Sequence, residues 1–239
     1  NTVTGCFSDD IGTFYLIIND LPPILSIDDL HECDDNITGN DKDGLHEFDL
    51  TQKDSDVNNA LIALGKDPAD YTWTYHALEN DTIPITTYTT LPIDNSEKEI
   101  FVRIQDNKGC VRYDNSFKVI VDKLPDLKIT TLAIEQCESD GEIKYDLNNA
   151  APLFSDNYEN EEFAFFEDAA LNVPILKPES FTTSVDKKVY LKIRNKDSGC
   201  VRSDDIAMGA SNIIINLIVG INIPPSSFTT LSFDPYCFD

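Results

Sequence analysis

Six cysteines carry the most evident chemistry in this 239-residue chain. Cys110 and Cys200 stand in identical Gly-Cys-Val-Arg tetrapeptides, and no Cys-x-x-Cys pair is present to begin a zinc site. The chain also has one Met, one Trp and three His. This composition is typical of disulfide bonding in an oxidising compartment. The cysteines therefore predict an exported protein.

An acidic loop follows Cys33 and has the oxygen ligands that a hard cation needs. Its side chains recur at short intervals, and Gly44 is available for a sharp turn. The predicted calcium ligands are Asp34, Asp35, Asn36, Asp41, Asp43 and Glu47. The pattern lacks the full twelve-residue spacing of an EF-hand. A solvated acidic loop without a metal is therefore the alternative, and the sequence leaves both open.

No motif in the chain indicates catalysis. The histidines His31, His46 and His76 all lie in the first half and have no counterparts in the second. The sequence contains no HExxH or GxSxG motif and no phosphate-binding glycine loop. We therefore expect a protein that is not an enzyme, with calcium as the one candidate cofactor.

Self-similarity defines a repeat of about 100 residues. Gly-Cys-Val-Arg at residues 109–112 returns at 199–202, and Phe-Asp-Leu at 48–50 returns as Tyr-Asp-Leu at 145–147. Leu-Pro lies at the joints. The predicted organisation is the end of a preceding repeat at 1–22, whole repeats at 23–125 and 126–223, and the start of a following repeat at 224–239.

Two disulfide schemes fit this period. Bonds within each repeat would pair Cys33 with Cys110 and Cys137 with Cys200. Bonds across each joint would pair Cys6 with Cys33 and Cys110 with Cys137. We favour bonds within repeats, because a link from the first strand to the last closes the larger loop of the unfolded chain. The partner of Cys6 is then unknown.

The last cysteine, Cys237, likewise has no assigned partner. It lies in the predicted start of a following repeat, where it corresponds to the opening cysteines of the two whole repeats. Spacing alone does not decide between the two disulfide schemes.

Short alternating runs rich in Thr, Tyr, Phe, Ile and Val predict strands, as at residues 71–75 and 117–121. One short helix is expected over residues 56–64. This density of strands favours an all-β fold of tandem immunoglobulin-like β-sandwich repeats. Trp73 and Phe163 are the expected central core aromatics.

The net charge of −25, from 43 acidic and 18 basic residues, excludes several partners. Such a surface repels nucleic acid and anionic membranes. The most apolar stretch, residues 213–223, is too short to cross a bilayer. We expect no nucleic-acid binding and no membrane insertion.

The repeat has a distinctive order of motifs: Leu-Pro, Cys-Asp-Asp-Asn, Asp-Gly-x-x-x-Phe-Asp-Leu-Thr, then Arg-Ile-x-x-x-x-Gly-Cys. This order resembles the tandem repeats of giant flavobacterial (Bacteroidota) surface adhesins exported by type IX secretion, which include gliding motility adhesins. The resemblance implies an extracellular, cell-surface location associated with the outer membrane. Asp-Thr-Ile at residues 81–83 resembles the O-glycosylation site of exported proteins in that phylum, which makes Thr82 the predicted glycosylation site.

The resemblance implies a non-enzymatic stalk and adhesion segment of a long cell-surface filament, active in gliding or surface attachment. The expected partners are neighbouring repeats, an extracellular surface or polysaccharide, and the secretion and gliding machinery through regions outside this sequence. The alternative is an array of carbohydrate-binding modules. That alternative requires an exposed aromatic strip, for which the candidates are Tyr71, Tyr75, Tyr88 and Tyr113.

Overall fold

The computed structural model describes residues 15–137, 143–204 and 212–220. Strands dominate these residues and form four sheets, and helices are few and short. The predicted all-β sandwich class is confirmed, while the tandem arrangement of repeats stays a prediction. Contacts divide the chain into one compact unit of residues 1–28, 49–86 and 99–117 and a second of residues 29–48, 87–98 and 118–239.

Six strands lie within the described residues 15–122. They are β1 (Leu30–Cys33), β2 (Glu47–Asp49), β3 (Tyr71–His76), β4 (Thr87–Thr89), β5 (Glu97–Asp106) and β6 (Val111–Asp122). One sheet has the order β1-β6-β5-β3, and β2 pairs with β4. β1 runs parallel to the end of β6, with Cys33 opposite Asp122. β3 runs antiparallel to β5.

Seven described strands follow. They are β7 (Thr131–Cys137), β8 (Ile143–Tyr145), β9 (Glu161–Phe166), β10 (Phe181–Thr183), β11 (Lys187–Asn195), β12 (Val201–Arg202) and β13 (Ile213–Gly220). One sheet has the order β12-β11-β13-β7, with β9 also paired to β11, and β8 pairs with β10. As in the earlier segment, the first strand is parallel to the last, with Leu132 opposite Ile215.

The α-helices of the described segments are α1 (Asp54–Ala63) and α2 (Ala151–Phe154). α1 starts two residues before the predicted 56–64 and buries Val57 and Leu61, whereas Leu64 is half exposed. None of the helices in the described part of the chain is long and apolar enough to span a membrane. The short 3-10 helices are Leu50–Lys53, Pro68–Asp70, Pro92–Asp94, Leu147–Ala150, Tyr158–Asn160 and Pro178–Ser180.

Two strands supply much of the buried apolar surface. Alternate residues of a strand point to the same face, so the aliphatic residues of β5 and β11 fall on the inner face. The fully buried positions are Ile100, Val102 and Ile104 on β5 and Val189, Leu191 and Ile193 on β11. The period-two pattern in the sequence is thus reproduced in the core.

The expected core aromatics are displaced by two residues. Trp73 and Phe163 are only half-buried, whereas Tyr75 and Phe165 are 4% and 2% exposed. The indole N–H of Trp73 donates to Asp54 Oδ1 at 2.8 Å. Trp73 therefore lies beside the polar start of α1, because its donor needs a partner there.

Candidate functional site

A disulfide bond joins Cys33 to Cys200, 167 residues apart, with 5.6 Å between the Cα atoms. The predicted pairs Cys33 with Cys110 and Cys137 with Cys200 are therefore wrong, and Cys110 is a free thiol. The alternative bond between Cys33 and Cys6 is excluded as well. Cys6, the side chain of Cys137, and Cys237 lie outside the described residues.

The position of β1 explains why Cys33 cannot reach Cys110. Cys33 lies opposite Asp122, the last residue of β6, whereas Cys110 directly precedes the first residue of that strand. β6 has 12 residues, so the two cysteines are separated by roughly 40 Å along the strand. A disulfide requires Cα atoms less than about 7 Å apart.

A tight turn between β11 and β12 presents Cys200. The N–H of Asn195 donates to the carbonyl of Cys200 at 2.9 Å, and the N–H of Gly199 donates to the carbonyl of Asn195 at 3.0 Å. Gly199 has a φ of 79°, which a residue with a Cβ adopts only with strain. Cys200 itself is 1% exposed and its sulfur lies 3.9 Å from the carbonyl oxygen of Asp122.

Arg202 forms a buried polar cluster two residues after the disulfide. Its side chain is 1% exposed and donates from Nε to the carbonyl of Pro125 at 2.6 Å and from Nη1 to Asp41 Oδ2 at 2.5 Å. Nη1 also lies 3.4 Å from the carbonyl of Asp204. A buried charge is stable only when it is paired and hydrogen-bonded, so this cluster fixes the loop of Asp41 against the turn that carries Cys200.

Asp34, a predicted calcium ligand, holds the loop through backbone hydrogen bonds. Its two oxygens accept from the N–H groups of Asp35 and Gly44, each at 2.9 Å. The side chain is buried, and burial raises the pKa of this carboxyl, although the two N–H groups oppose the shift. Asp34 therefore acts as a hydrogen-bond acceptor within its own loop.

Asp35 is held in a similar way. Its Oδ1 accepts from the N–H groups of Ile37 at 2.7 Å and Thr38 at 3.0 Å, and its Oδ2 lies 2.7 Å from His46 Nδ1. Burial acts to raise the pKa of Asp35, but the two N–H groups and His46 outweigh burial and lower it. This carboxylate is accordingly stabilised in its charged form without a metal.

The other four predicted ligands have separate environments. Asp43 Oδ2 accepts from the N–H of Asn40, Asn36 Oδ1 accepts from the N–H of Asp41, and Glu47 is exposed on β2. Within residues 15–137, 143–204 and 212–220, no three Asp, Glu, His or Cys side chains gather around a point that would hold a metal. Calcium binding by this loop stays a prediction.

The predicted glycosylation site and two remaining histidines are at separate places. Thr82 is exposed in the loop between β3 and β4. His31 lies on β1, the strand that carries Cys33, and its Nδ1 pairs with Asp122 Oδ2 at 2.9 Å. His76 is buried, with Nε2 2.8 Å from Thr74 Oγ1. These positions do not bring the histidines together.

The four tyrosines proposed for a sugar-binding strip do not share one exposed surface. Tyr75 is buried, and Tyr88 is half-buried with its pKa raised to about 12 by burial and by its hydrogen bond to Asp94. Tyr113 is exposed, whereas Tyr71 is half-buried. Tyr71 lines a mostly apolar groove of about 530 Å³ together with Trp73 and Thr86.

Sequence reasoning missed the role of Arg202 and of the Pro125 carbonyl. A signal was available, because Arg follows Cys by two residues in both tetrapeptides, and Leu-Pro stands at both joints. The repeated motifs define the repeat period, but the period does not indicate which of their polar atoms are hydrogen-bonded to one another. The buried partner Asp41 is 161 residues from Arg202, a separation that no local pattern reveals.

Comparison with known families identifies the segment that contains Cys33. No curated protein matches the chain. Residues 29–125 match the family described as the Flavobacterium inter-domain disulphide bond domain. Cys33 lies inside the matched segment and Cys200 lies outside it. The match and the disulfide together indicate a disulphide-linked extracellular domain of Flavobacterium type, and residues 29–125 are similar to that family.

Proposed function

We propose that the chain is a non-enzymatic stalk and adhesion segment of a long filament at a bacterial cell surface, used in gliding or surface attachment. The bond between Cys33 and Cys200 carries this proposal. It leaves the segment that matches the inter-domain disulphide family and ends beyond it. A bond of this kind fastens successive parts of one chain together.

The mechanism is mechanical. When the chain is pulled from its ends, tension passes through the bond and bypasses the 166 residues between the two cysteines. An extended chain spans at most about 3.4 Å per residue, so the bond prevents roughly 570 Å of contour length from being extended. The buried ion pair of Asp41 and Arg202 lies beside the same bond and resists separation of the loop from the turn.

Adhesion in this proposal comes from many weak contacts along a long polymer. The partner is an extracellular surface or a polysaccharide, and the filament is associated with the outer membrane through regions outside this sequence. The secretion and gliding machinery would also engage those regions. The resemblance of the repeats to flavobacterial adhesins and the strongly acidic composition support this assignment.

Single-molecule force spectroscopy on the 239-residue protein, held at its two ends, tests the mechanical role. The oxidised protein should extend by the length of the residues outside 33–200 only, and Cys200→Ser should release roughly 570 Å more. Cys110→Ser is the matched control, because it removes a thiol and leaves the bond in place. Equal extension of the oxidised protein and Cys200→Ser would contradict the proposal.

An array of carbohydrate-binding modules is the second candidate. The groove lined by Tyr71 and Trp73 is the observation that favours it. Titration of the protein with neutral oligosaccharides, followed by tryptophan fluorescence, tests this function. Saturable binding that is lost in Trp73→Ala but kept in Phe163→Ala would favour it over the stalk alone.

A further inference from the structure

A second surface of the chain resembles the one that carries the disulfide. We call the surface with the disulfide the occupied surface. At the occupied surface, Cys200 and Arg202 lie in a Gly-Cys-Val-Arg turn, and Arg202 Nε donates to the carbonyl of Pro125. At the other, Cys110 and Arg112 lie in the same tetrapeptide, and Arg112 Nε donates to the carbonyl of a Leu-Pro segment at residues 21–22. The same arginine-to-proline contact therefore forms at both places.

The two turns are closed by the same kind of backbone hydrogen bond, although the second turn is one residue longer. The N–H of Asp106 donates to the carbonyl of Cys110 at 3.0 Å, as the N–H of Asn195 donates to that of Cys200 at 2.9 Å. The glycine before each cysteine has a positive φ, 87° for Gly109 and 79° at the second turn. The two cysteines accordingly follow turns of similar form, each with a left-handed glycine directly before the cysteine.

The two surfaces differ in what they hold. Arg202 Nη1 is paired with Asp41, whose side chain is 1% exposed, and the neighbouring Cys200 is bonded. Arg112 Nη1 pairs with Asp114, whose side chain is 56% exposed, and the neighbouring thiol is free. Asp114 is only two residues from Arg112 and belongs to the same strand, so this local, solvated pair stands where the other surface has a buried one.

We propose that the surface formed by Cys110, Arg112 and the Pro22 carbonyl is a docking site for the cysteine-and-aspartate loop of another repeat. The occupant is a segment like residues 33–41, with an aspartate eight positions after its cysteine. On docking, the arginine exchanges its exposed aspartate for the buried one. The Cys110 thiolate then attacks a disulfide that the incoming cysteine already forms with a small thiol, the new S–S bond forms, and the small thiol leaves with the electron pair of the broken bond and takes up a proton. This inference rests on the proposed stalk function and extends it.

In this proposal, the disulfide bonds between repeats all run in the same direction along the chain. The opening cysteine of one repeat bonds to the closing cysteine of the next, as Cys33 bonds to Cys200. Every joint is then spanned by a covalent bond and by a buried arginine-aspartate pair. A filament built in this way has no joint that can be extended without breaking a disulfide.

A thiol-exchange experiment tests the docking site on the intact, oxidised protein. The probe is a synthetic peptide of residues 29–48 whose Cys33 is a mixed disulfide with thiopyridine. The Cys110 thiolate attacks the peptide sulfur, the new S–S bond forms, and thiopyridone leaves with the electron pair of the broken bond and takes up a proton. The exchange needs no oxidant, and thiopyridone absorbance gives its rate.

Matched controls separate docking from simple thiol reactivity. One control peptide carries Asp41→Asn, and one protein variant carries Arg112→Gln, checked by circular dichroism for an unchanged fold. Each change should lower the rate of capture about tenfold, the equivalent of about 1.4 kcal/mol. Peptide mapping should place the captured peptide on Cys110 rather than on Cys137.

Equal rates for the native and Asp41→Asn peptides would overturn the docking site, as would capture at Cys137 as often as at Cys110. Neither result depends on the bond between Cys33 and Cys200, which stays oxidised throughout. Absence of that bond would contradict the stalk proposal instead. The experiment can therefore refute the docking site without refuting the stalk function, and the reverse also holds.

Discussion

The buried pair of Asp41 and Arg202 should couple the acidic loop to the disulfide turn, and its removal should be costly. Arg202→Met leaves the Asp41 carboxylate buried without its cation, since both side chains are 1% exposed. Loss of one partner of a buried ion pair typically costs about 3–5 kcal/mol. We expect the free energy of unfolding to fall by that amount.

The matched variant is Arg112→Met. Arg112 makes the equivalent hydrogen bond to a proline carbonyl, but its carboxylate partner Asp114 is 56% exposed. A solvated pair contributes at most about 1 kcal/mol, and the lost backbone hydrogen bond adds about 1 kcal/mol. The loss should therefore be about 2 kcal/mol at most, below the loss for Arg202→Met.

The double variant Asp41→Leu with Arg202→Met isolates the pair. It removes both charges, so no unpaired carboxylate is buried, and the protein should regain most of the stability lost in the single variant. Urea unfolding followed by circular dichroism, with the disulfide intact in every sample, gives the free energies. Equal losses for Arg202→Met and Arg112→Met, or additive losses in the double variant, would refute the reasoning.

Three further predictions concern the cores and their polar groups. Burial raises the pKa of Glu161, so the folded protein holds this proton more tightly than the unfolded chain, and the contribution of Glu161 to stability should fall as the pH rises above about 4.5. Glu161→Gln should lose that dependence in urea unfolding at acid and neutral pH, and an unchanged profile would contradict it. Asp54→Ala leaves the buried Tyr75 hydroxyl without its acceptor and should cost about 1–3 kcal/mol, whereas Ser55→Ala on the exposed side of the same helix should cost little. Leu191→Ala should cost about 2–5 kcal/mol, because Leu191 is fully buried; a loss below 1 kcal/mol in thermal or urea unfolding would place it outside the core.

Local patterns predicted the strands well because their cause is local. Alternating apolar residues gave the inner faces of β5 and β11, such as Ile104 and Ile193, since side chains of a strand alternate between faces. The helix near residue 56 also follows from a local pattern, since its buried residues Val57 and Leu61 are four residues apart and lie on one helix face. The shift from Trp73 to Tyr75 shows the limit. Alternation places both residues on the same face of β3, and both donate to Asp54 Oδ1, so the pattern does not indicate which of them is buried.

The disulfide could not be predicted from spacing. The favoured pair of Cys33 and Cys110 assumed that the first and last strands meet at the cysteine end, but β1 lies beside the opposite end of β6. Register between distant strands depends on packing that a repeat period does not contain. The buried pairing of Asp41 could not be predicted from the acidic loop either, since its arginine partner lies 161 residues away.

The partner of Cys33 is the most direct test of the account. Non-reducing peptide mapping of the native protein by mass spectrometry should recover Cys33 linked to Cys200. Recovery of Cys33 linked to Cys110 instead would mean that the disulfide lies within one repeat. That result would contradict the bond between Cys33 and Cys200 on which the proposed function rests.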